Sequence, residues 1–349
     1  MHYDIFNPDH EIALAMNTRR FVPSRNVRQM CHDLAFIPAL WADDGDYVIV
    51  EDVTKAEHDY ACMPLNKRNK VCFISFNDVA SHITTDDTIR PWGWNMAIRE
   101  TFLMAGIPAA MLPNDECLRE WRSMSGRALA VKILQEQFST SYTVGISEVC
   151  KDICIAEEFL KLYRDIVIKA PYSSSGRGVR FVSGNIDDAT QNWIARTIKQ
   201  QGYVTVEKKY DKLLDFAVEY EISSSGELRR LGLSMFQTNG TAYTGNILAN
   251  EDDKWNILAR YLPKDTIEHA FRSLEQSLTH HLKDKYCGPF GIDMMIVRDE
   301  QGISLHPCVE INLRRTMGHV ALAHSLHGES GIMRTLFENG RFCLKIDKP

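Results

Sequence analysis

The first 120 residues alternate short apolar runs with segments of helical spacing. The runs at 47–50 and 71–74 are rich in β-branched residues, whereas residues 94–105 carry apolar side chains at helical intervals and end at a Gly-Ile-Pro sequence. Strand-like runs that alternate with helical segments are typical of an α/β layer with a parallel sheet. The pattern therefore predicts a small N-terminal α/β domain over residues 1–120.

Beyond residue 120 the pattern changes to helices and hairpins. Helical spacing covers residues 121–160, 187–200, 266–285 and the tail from about 321, before a last strand near 342–346. Strand-like runs cover residues 166–169, 179–182, 203–206, 216–222, 228–236, 242–248, 291–297 and 303–311. Turn-rich sequences at 223–226 and 299–302 separate pairs of these runs, as in β-hairpins. We therefore expect two α+β parts, over residues 121–205 and 206–349.

The composition narrows the class of protein. The chain has 349 residues, of which 44% are hydrophobic and 25% charged, with a formal net charge of −6. This length predicts two or three modules, and the acidic balance argues against a nucleic-acid partner, which would require a basic face. No apolar stretch approaches the ~20 residues of a membrane span, and the N-terminus lacks the pattern of a signal peptide. The nine cysteines contain no Cys-x-x-Cys pair, which favours a cytoplasmic protein without disulfides.

Residues 166–182 read IVIKAPYSSSGRGVRFV, in which a strand-like run ends at Lys169 and a Ser/Gly-rich segment leads into a second strand-like run. This order differs from a P-loop, where the lysine follows the glycines, and from a dinucleotide fingerprint, which opens a helix. Glycines let the backbone approach a ligand closely, and backbone N–H groups can cradle phosphate oxygens. The sequence therefore predicts an anion-binding loop at 173–178 that connects two strands.

The hairpin at 291–311 carries two acidic residues that should repel each other. If its turn is centred near 301–302, Asp293 lies opposite Glu310, and Glu310 shares a face with Asn312 because strand residues alternate faces. Like charges directly opposite each other destabilise a sheet, and a divalent cation between them would remove that repulsion. Two carboxylates and an amide oxygen are ligands typical of Mg²⁺ or Mn²⁺. The alternative is a register shifted by one residue, which leaves both acids in solvent.

The segment between these features, VTVEKKYDKLLDFAVEYEI at 204–222, combines strands with a charged stretch. Glu207, Lys208 and Lys209 follow apolar residues in a pattern that suits a hinge whose backbone faces an adenine edge. Asp215 begins the next alternating strand, where its carboxylate is able to accept hydrogen bonds from a ribose. The alternative is a solvated, charge-rich edge strand.

Three sequence blocks occur in a defined order: the lysine strand with its Ser/Gly loop, the Glu-Lys-Lys hinge with an acid eight residues on, and Asp…Glu-x-Asn-x-Arg on a late hairpin. In this order they resemble the ATP-grasp superfamily, especially its carboxylate–amine and carboxylate–thiol ligases and its carboxylases. The resemblance covers about residues 120–320. It implies an α/β (α+β) fold, with an ATP-grasp module of two α+β subdomains (121–205 and 206–349) after a pre-ATP-grasp-like α/β domain.

The resemblance also implies ATP and Mg²⁺ (or Mn²⁺) as ligands, with Asp293, Glu310 and Asn312 as the metal ligands. The ATP-binding residues that it implies are Arg127, Lys132, Lys169, Ser173, Ser174, Ser175, Gly176, Arg177, Gly178, Glu207, Lys208, Lys209 and Asp215. Among these, Arg127 is near the position of a nucleotide-binding lysine, and Lys132 is the alternative. Lys169 and Arg314 are the implied catalytic residues, Arg314 as the arginine that often contacts the transferred phosphate or the substrate.

Other features are not covered by the three blocks. Arg229, Arg230 and Arg315 are candidates to bind a carboxylate substrate through bidentate hydrogen bonds, and Asn246 is a candidate for a substrate-side loop. Residues 1–120 contain no family motif, but NPDHEIALA (7–15) and PWGWN (91–95) are unusual in composition. Turn and capping chemistry is the simplest explanation for both segments.

These inferences predict an ATP-dependent ligase that activates a small carboxylate as an acyl phosphate and couples it to an amine or a thiol. Catalysis would consist of positioning two anions and neutralising developing charge, which needs no side-chain nucleophile. Two alternatives stay open: an ATP-grasp kinase that leaves the phosphate on its substrate, and a catalytically inactive nucleotide-binding regulatory protein. The resemblance and the composition are compatible with a homodimer.

Overall fold

The computed structural model describes residues 1–137, 142–173, 176, 178–240, 242–300, 302–326, 328 and 330–348 of the chain. The chain divides into two compact units. The first comprises Met1–Arg122, Thr244–Asn250 and Arg314–Pro349, and the second comprises Ser123–Tyr243 and Glu251–Leu313. Among the described helices, none has both the length and the apolar character that crossing a bilayer requires.

The first 125 residues form an α/β layer around a parallel sheet. Its strands are β1 (His2–Ile5), β2 (Tyr47–Val50), β3 (Cys72–Ser75) and β4 (Thr88–Pro91), in the order β3-β2-β1-β4. Its helices are α1 (His10–Met16), α2 (Arg25–Asp33), α3 (Val53–Cys62), α4 (Phe76–His82), α5 (Met96–Met104) and α6 (Asp115–Ser125), with 3-10 turns at Ile37–Leu40 and Ala109–Met111. The pairings are parallel, as the alternating pattern predicted.

Both faces of this sheet are covered, which accounts for the continuous apolar run Tyr47–Val50 of β2. Val48 and Val50 of β2 pack into one hydrophobic core, and Ile49 packs into the other. In the second core, Tyr3 of β1 packs with Phe102 of α5, and both are fully buried.

The remaining elements follow in chain order. They are α7 (Ala128–Gln137), β5 (Ser147–Cys150), α8 (Ile153–Tyr163), β6 (Asp165–Lys169), β7 (Val179–Ser183), α9 (Asp188–Gln201), β8 (Val204–Lys208), β9 (Asp211–Ile222), β10 (Leu228–Asn239), β11 (Ala242–Leu248), α10 (Glu251–Leu258), α11 (Lys264–Leu282), β12 (Gly288–Asp299), β13 (Gly302–Asn312), α12 (Met317–Leu326), β14 (Gly331–Glu338) and β15 (Arg341–Asp347). The second unit contains two antiparallel sets of strands, β5-β8-β6-β7 and β13-β12-β9-β10. In the first unit, β14 pairs with β11 and β15, also antiparallel.

Helix α11 determines which face of the β13-β12-β9-β10 strands is apolar. Its buried residues Ile267, Phe271, Leu274 and Leu278 recur at intervals of three or four and form one stripe. The Phe271 ring centroid lies 6.5 Å from that of Phe216 on β9. Because strand residues alternate, the neighbours of Phe216 project from the opposite face, where the acidic residues of β12 and β13 also lie.

Two predicted segments differ from the structure. Residues 121–160, predicted as helical, contain β5, and the tail, predicted as helical from about 321, contains β14. The four residues of β5 become a strand because they pair with β8, which the sequence pattern does not show. The β14–β15 hairpin turns at Asn339 and Gly340, with φ of 50° and 78°. Asn-Gly is the preferred pair for such tight hairpin turns, so this dipeptide was the signal that the helical prediction missed.

Candidate nucleotide and metal site

The acidic hairpin has the register that its turn predicted. Strands β12 and β13 pair Asp293 with Glu310 and Gly291 with Asn312, and they close at Asp299 and Gly302. The two carboxylates therefore belong to directly opposed residues, whose Cβ atoms are ~5 Å apart in such pairs. A bulge follows between Asp293 and Met295, and on the partner strand it contains Pro307, a residue that cannot donate to a regular ladder.

Lys169 is the last residue of β6 and is 7% exposed. Its strand neighbours Ile166 and Ile168 pack into the hydrophobic core under the sheet, so Val167 and Lys169 project from the other face. The ammonium group of Lys169 forms an ion pair with Glu207 of β8, and both side chains are largely buried. The lysine predicted to bind phosphate is therefore held against the first residue of the predicted hinge.

Arg127 and Lys132 differ sharply in environment. The Arg127 side chain is 7% exposed, and its Nη2 lies 2.9 Å from Oε1 of Glu310. Its Nε donates to the carbonyl of Ala170 at 3.1 Å. The Lys132 side chain is 60% exposed and lies 3.8 Å from Glu136 on the same helix. The structure therefore brings Arg127, and not Lys132, to the acidic hairpin.

These residues surround a cavity of about 650 Å³ that lies within the second unit. This volume is in the range of small-molecule sites. Nine residues predicted from the sequence line it: Arg127, Lys169, Gly176, Glu207, Lys208, Lys209, Asp215, Asp293 and Glu310. Residues that the sequence reasoning did not name also line it, among them Phe181, Tyr210, Lys212 and Thr238.

Tyr210 extends the predicted hinge by one residue. Its hydroxyl oxygen accepts hydrogen bonds from the backbone N–H groups of Gly145 and Ile146 at 3.2 and 3.1 Å, and burial raises its pKa. The Lys208 ammonium lies 5.6 Å from the ring centroid of Tyr210. On another side the ring meets His306 edge-on at 5.9 Å, and burial lowers the pKa of that histidine to about 4. Tyr210 thus fixes the hinge between a buried ring and the chain before β5.

Asp215 lies on β9 with two polar partners. The Thr238 hydroxyl donates to its Oδ2 at 2.8 Å, and the Lys212 ammonium forms an ion pair with the same oxygen. Asp215 faces Met295 across the β9–β12 pair, two positions from the pair of Ala217 with Asp293. The predicted ribose acid and the predicted metal ligand are therefore on the same face of the sheet.

The Ser/Gly loop is described only in part. Ser174, Ser175 and Arg177 lie outside the described residues, whereas Ser173, Gly176 and Gly178 are included. A Cβ built at Gly178 would lie 2.3 Å from the Cβ of Ser173, and the backbone N–H of Ala170 donates to the Gly178 carbonyl at 2.8 Å. Only glycine fits at position 178, because the two ends of the loop approach so closely there.

The predicted substrate arginines of β10 are not part of this cavity. The Arg229 side chain is 68% exposed and lies 2.7 Å from Glu221. Arg230 pairs with Tyr220, on the face opposite Asp293, and its guanidinium bonds to Glu268 and Glu275 of α11 at 3.0 and 2.7 Å. We therefore do not include Arg229 or Arg230 in the site.

Arg314, Arg315 and Asn246 belong to the first unit. Arg314 donates from Nε to Oε1 of Glu11 at 2.6 Å and from Nη1 to the Arg315 carbonyl at 2.9 Å. The backbone N–H of Arg315 donates to the Trp92 carbonyl at 2.8 Å, and its guanidinium lies 4.6 Å from the ring centroid of Trp41. Asn246 is buried on β11. Sequence reasoning missed Glu11, which is 303 positions from its arginine partner.

The two unusual N-terminal segments bind each other. Asn7 Nδ2 donates to the Gly93 carbonyl at 2.8 Å, and the Gly93 N–H donates to Asn7 Oδ1 at 3.3 Å. A Cβ at Gly93 would lie 2.5 Å from the His10 ring. Asn95 caps α5, since its Oδ1 accepts from the N–H groups of residues 97 and 98. Capping chemistry therefore explains Asn95, whereas Asn7 joins NPDHEIALA to PWGWN.

Comparison with known proteins identifies the fold. No protein-family model matches the sequence, and no curated protein matches it. Solved structures do match. Biotin carboxylase from Campylobacter jejuni, in a β-γ-ATP complex, matches with a TM-score of 0.52 and 13% identity over 98% of this chain and 73% of that chain. N5-carboxyaminoimidazole synthetase from Staphylococcus aureus, complexed with ADP, matches with a TM-score of 0.50 and 10% identity over 97% of this chain and 83% of that chain.

A third match is the biotin carboxylase domain of the Hydrogenobacter thermophilus 2-oxoglutarate carboxylase, in complex with MgADP, ADP and bicarbonate. Its TM-score is 0.51 with 12% identity, over 83% of this chain and 69% of that chain. The chain has the ATP-grasp fold. This confirms the fold predicted from the order of three sequence blocks: a parallel α/β sheet followed by antiparallel α+β sheets. All three of these solved structures hold an adenine nucleotide.

Proposed function

We propose that this protein is an ATP-dependent ligase that activates a small carboxylate as an acyl phosphate and couples it to an amine or a thiol. One observation carries the proposal: a single cavity is lined by two directly opposed carboxylates, Asp293 and Glu310, and by two buried cations, Lys169 and Arg127. Such a set of charges matches a nucleotide whose phosphates carry a metal ion.

The acidic residues fit Mg²⁺ by the chemistry of their donors. Asp293 and Glu310 offer carboxylate oxygens from opposed positions, and Asn312 adds an amide oxygen on the same face two residues later. Hard oxygen ligands of this kind suit Mg²⁺, which commonly takes one or two carboxylates together with substrate phosphates. When bound, the ion would neutralise charge on the phosphate oxygens during transfer.

The cations of the cavity would bind the phosphates. Lys169 and Arg127 are each held now by an acid, Glu207 and Glu310 respectively. Both would turn their donors from these acids to phosphate oxygens, which accept charge-assisted hydrogen bonds of similar strength. The adenine would lie along the hinge at 207–210, whose backbone is fixed by Tyr210.

The chemistry consists of two displacements. A carboxylate oxygen of the substrate attacks the γ-phosphorus, the bond to the β,γ-bridging oxygen breaks, and ADP leaves. The amine nitrogen or thiol sulfur then attacks the acyl carbon, loses its proton, and displaces phosphate. The protein supplies positioning and charge stabilisation throughout. We assign Arg314 to the transferred phosphate on the strength of the motif Glu-x-Asn-x-Arg, with Glu11 as the residue that orients it.

The proposal is tested by a screen for ATP-dependent phosphate release over amino acids, dipeptides and small carboxylic acids, with product analysis of every hit. A ligase releases ADP and phosphate and forms an amide or thioester, whereas a kinase leaves the phosphate on its substrate. We expect Lys169→Ala and Glu310→Gln to lower turnover at least a hundredfold. Arg229→Ala is the matched control, since its side chain is exposed and does not line the cavity. Full turnover in Glu310→Gln with a verified substrate would refute the metal assignment.

A further inference from the structure

The first unit contains a cavity of about 260 Å³ that the proposed reaction does not yet use. It lies at the carboxyl ends of the parallel strands, because Asn7 and Asp9 follow β1, Glu51 follows β2 and Asn95 follows β4. In the order β3-β2-β1-β4, the chain runs outward from β1 through β2 to β3 and then returns to the other side of β1. Ligands of open α/β sheets bind where the strand order reverses in this way.

Both unusual N-terminal segments contribute to this cavity. Asn7 and Asp9 come from NPDHEIALA, and Asn95 comes from PWGWN. The paired hydrogen bonds between Asn7 and Gly93 hold the two segments together beside it. A rigid wall of this kind is the usual support for a binding site, because it fixes the polar groups before the ligand arrives.

The wall of the cavity carries two carboxylates, of which Asp9 is half-buried and Glu51 is exposed. Burial together with the charges of Asp9 and Glu51 raises the pKa of the Cys31 thiol to about 12, and all three residues line the cavity. The thiol therefore stays protonated and is no nucleophile. Burial also raises the pKa of Asp9. Within the described ranges, no lysine, arginine or histidine nitrogen lies within 4 Å of the Asp9 or Glu51 carboxylate.

The same cavity is also lined by the opposite charge. Arg28 of α2 is exposed and lines the same cavity, and the described part of the chain places no carboxylate within 4 Å of its guanidinium. Phe21 and Phe76 supply apolar wall. Two acids without a cationic partner and one arginine without an acid thus face a space large enough for a few heavy atoms. Charges left in this arrangement are complementary to a ligand that carries both signs.

We propose that this cavity binds a free amino acid, with its ammonium group at Asp9 and Glu51 and its carboxylate at Arg28. We further propose that this amino acid is the amine that is coupled, a claim that rests on the ligase activity proposed above. As a binding site, it stands on the cavity alone.

The test is calorimetric titration of the full chain, without ATP, with each of the twenty L-amino acids. Any hit is then titrated again as its N-acetyl derivative, which lacks the ammonium group, and as its decarboxylated amine. We expect at least one amino acid to bind, the N-acetyl derivative to bind at least tenfold more weakly, and the amine to lose affinity less than the N-acetyl derivative. A charge-assisted contact of about 1.5–3 kcal/mol corresponds to roughly 10- to 150-fold.

Variants locate the ligand. Asp9→Asn keeps the shape of the side chain, and α1 loses no cap because Asp9 makes no side-chain hydrogen bond to it. The variant should bind the amino acid at least tenfold more weakly. Arg28→Gln should weaken binding of the amino acid but not binding of the decarboxylated amine. Asp86→Asn, an exposed acid outside the cavity, is the control and should change nothing. The proposal is overturned if no amino acid binds, if the N-acetyl derivative binds equally well, or if Asp9→Asn retains full affinity.

The two proposals fail separately. Amino-acid binding that persists in a protein with no ATP-dependent turnover would reject the ligase and keep this site. If the ligase turns over an amine substrate and Asp9→Asn leaves the KM for that substrate unchanged, this site is rejected and the ligase is kept.

Discussion

Replacing Arg127 by alanine is the sharpest test of the nucleotide cavity, because the chain offers a matched control only five residues away. Arg127 is buried, with Nη2 2.9 Å from Glu310 and Nε 3.1 Å from the Ala170 carbonyl. Lys132 is 60% exposed and makes a long contact with Glu136. The sequence alone left both residues open as the upstream nucleotide ligand. The two alanine variants should behave very differently.

The magnitudes follow from these contacts. Removing Arg127 leaves the buried Ala170 carbonyl without this donor, which lowers the free energy of unfolding by about 1–3 kcal/mol. It also leaves Glu310 without its cation. Since the Glu310 side chain is 23% exposed, water compensates part of that second loss. We expect the free energy of unfolding to fall by about 2–4 kcal/mol in total. One lost charge-assisted phosphate contact, about 1.5–3 kcal/mol, should weaken MgATP binding roughly 10- to 150-fold.

The assay is urea unfolding of both variants, followed by titration with MgATP in the presence of a fluorescent nucleotide competitor. Lys132→Ala removes an exposed i,i+4 ion pair, so the free energy of unfolding should change by at most about 0.5 kcal/mol. The affinity for MgATP should stay unchanged. Weaker nucleotide binding in Lys132→Ala together with normal binding in Arg127→Ala would refute the assignment. If Arg127→Ala proves too unstable to titrate, Arg127→Gln removes the charge, keeps a polar side chain in the same place, and allows the affinity for MgATP to be measured.

Three further outcomes are expected. Glu11→Gln should lower kcat and leave the KM for ATP unchanged, because Glu11 holds Arg314 and is not a lining residue of the nucleotide cavity; an altered KM with a normal kcat would contradict this role. Gly93→Ala should lower the free energy of unfolding by about 1–3 kcal/mol, since a Cβ would lie 2.5 Å from the His10 ring, and unchanged urea denaturation would disprove the close approach. His306 has a folded-state pKa of about 4, below the ordinary 6.5, so the unfolded chain binds more protons between these values and stability falls as pH decreases. At pH 5 the loss should be about 2 kcal/mol, which His306→Leu should abolish in a comparison of unfolding at pH 5 and pH 7; an equal loss in both proteins would count against it.

The acidic hairpin was predictable because local rules determine it. A turn near 299–302 and the alternation of strand residues are enough to place Asp293 opposite Glu310. The Lys169 strand was predictable for a similar reason, since its alternate isoleucines mark the buried face. These local features, taken in order along the chain, led to the correct fold.

Other parts of the molecule depend on contacts between distant segments. Glu11 has no signal near it in sequence that points to Arg314, because the pairing exists only once the chain after β13 returns to the first unit. The same holds for Tyr210, whose partners precede it by 65 and 64 positions. Strand β14 is different: its Asn339-Gly340 turn was visible, and the apolar pattern of the tail was given too much weight.

The internal ion pairs of the nucleotide cavity have a consequence for how its ligands arrive. Free Mg²⁺ must compete with the Arg127 guanidinium for Glu310, and free ATP must draw Lys169 from Glu207 while its phosphates face the carboxylates of Asp293 and Glu310. Mg²⁺ alone or ATP alone therefore breaks one of these ion pairs and leaves one member of that pair without a new partner. The metal–nucleotide complex replaces both sets at once, since its cation meets the acids and its phosphates meet the bases. We expect the two ligands to bind with strong positive cooperativity, which would keep the protein inert towards the free magnesium of its surroundings.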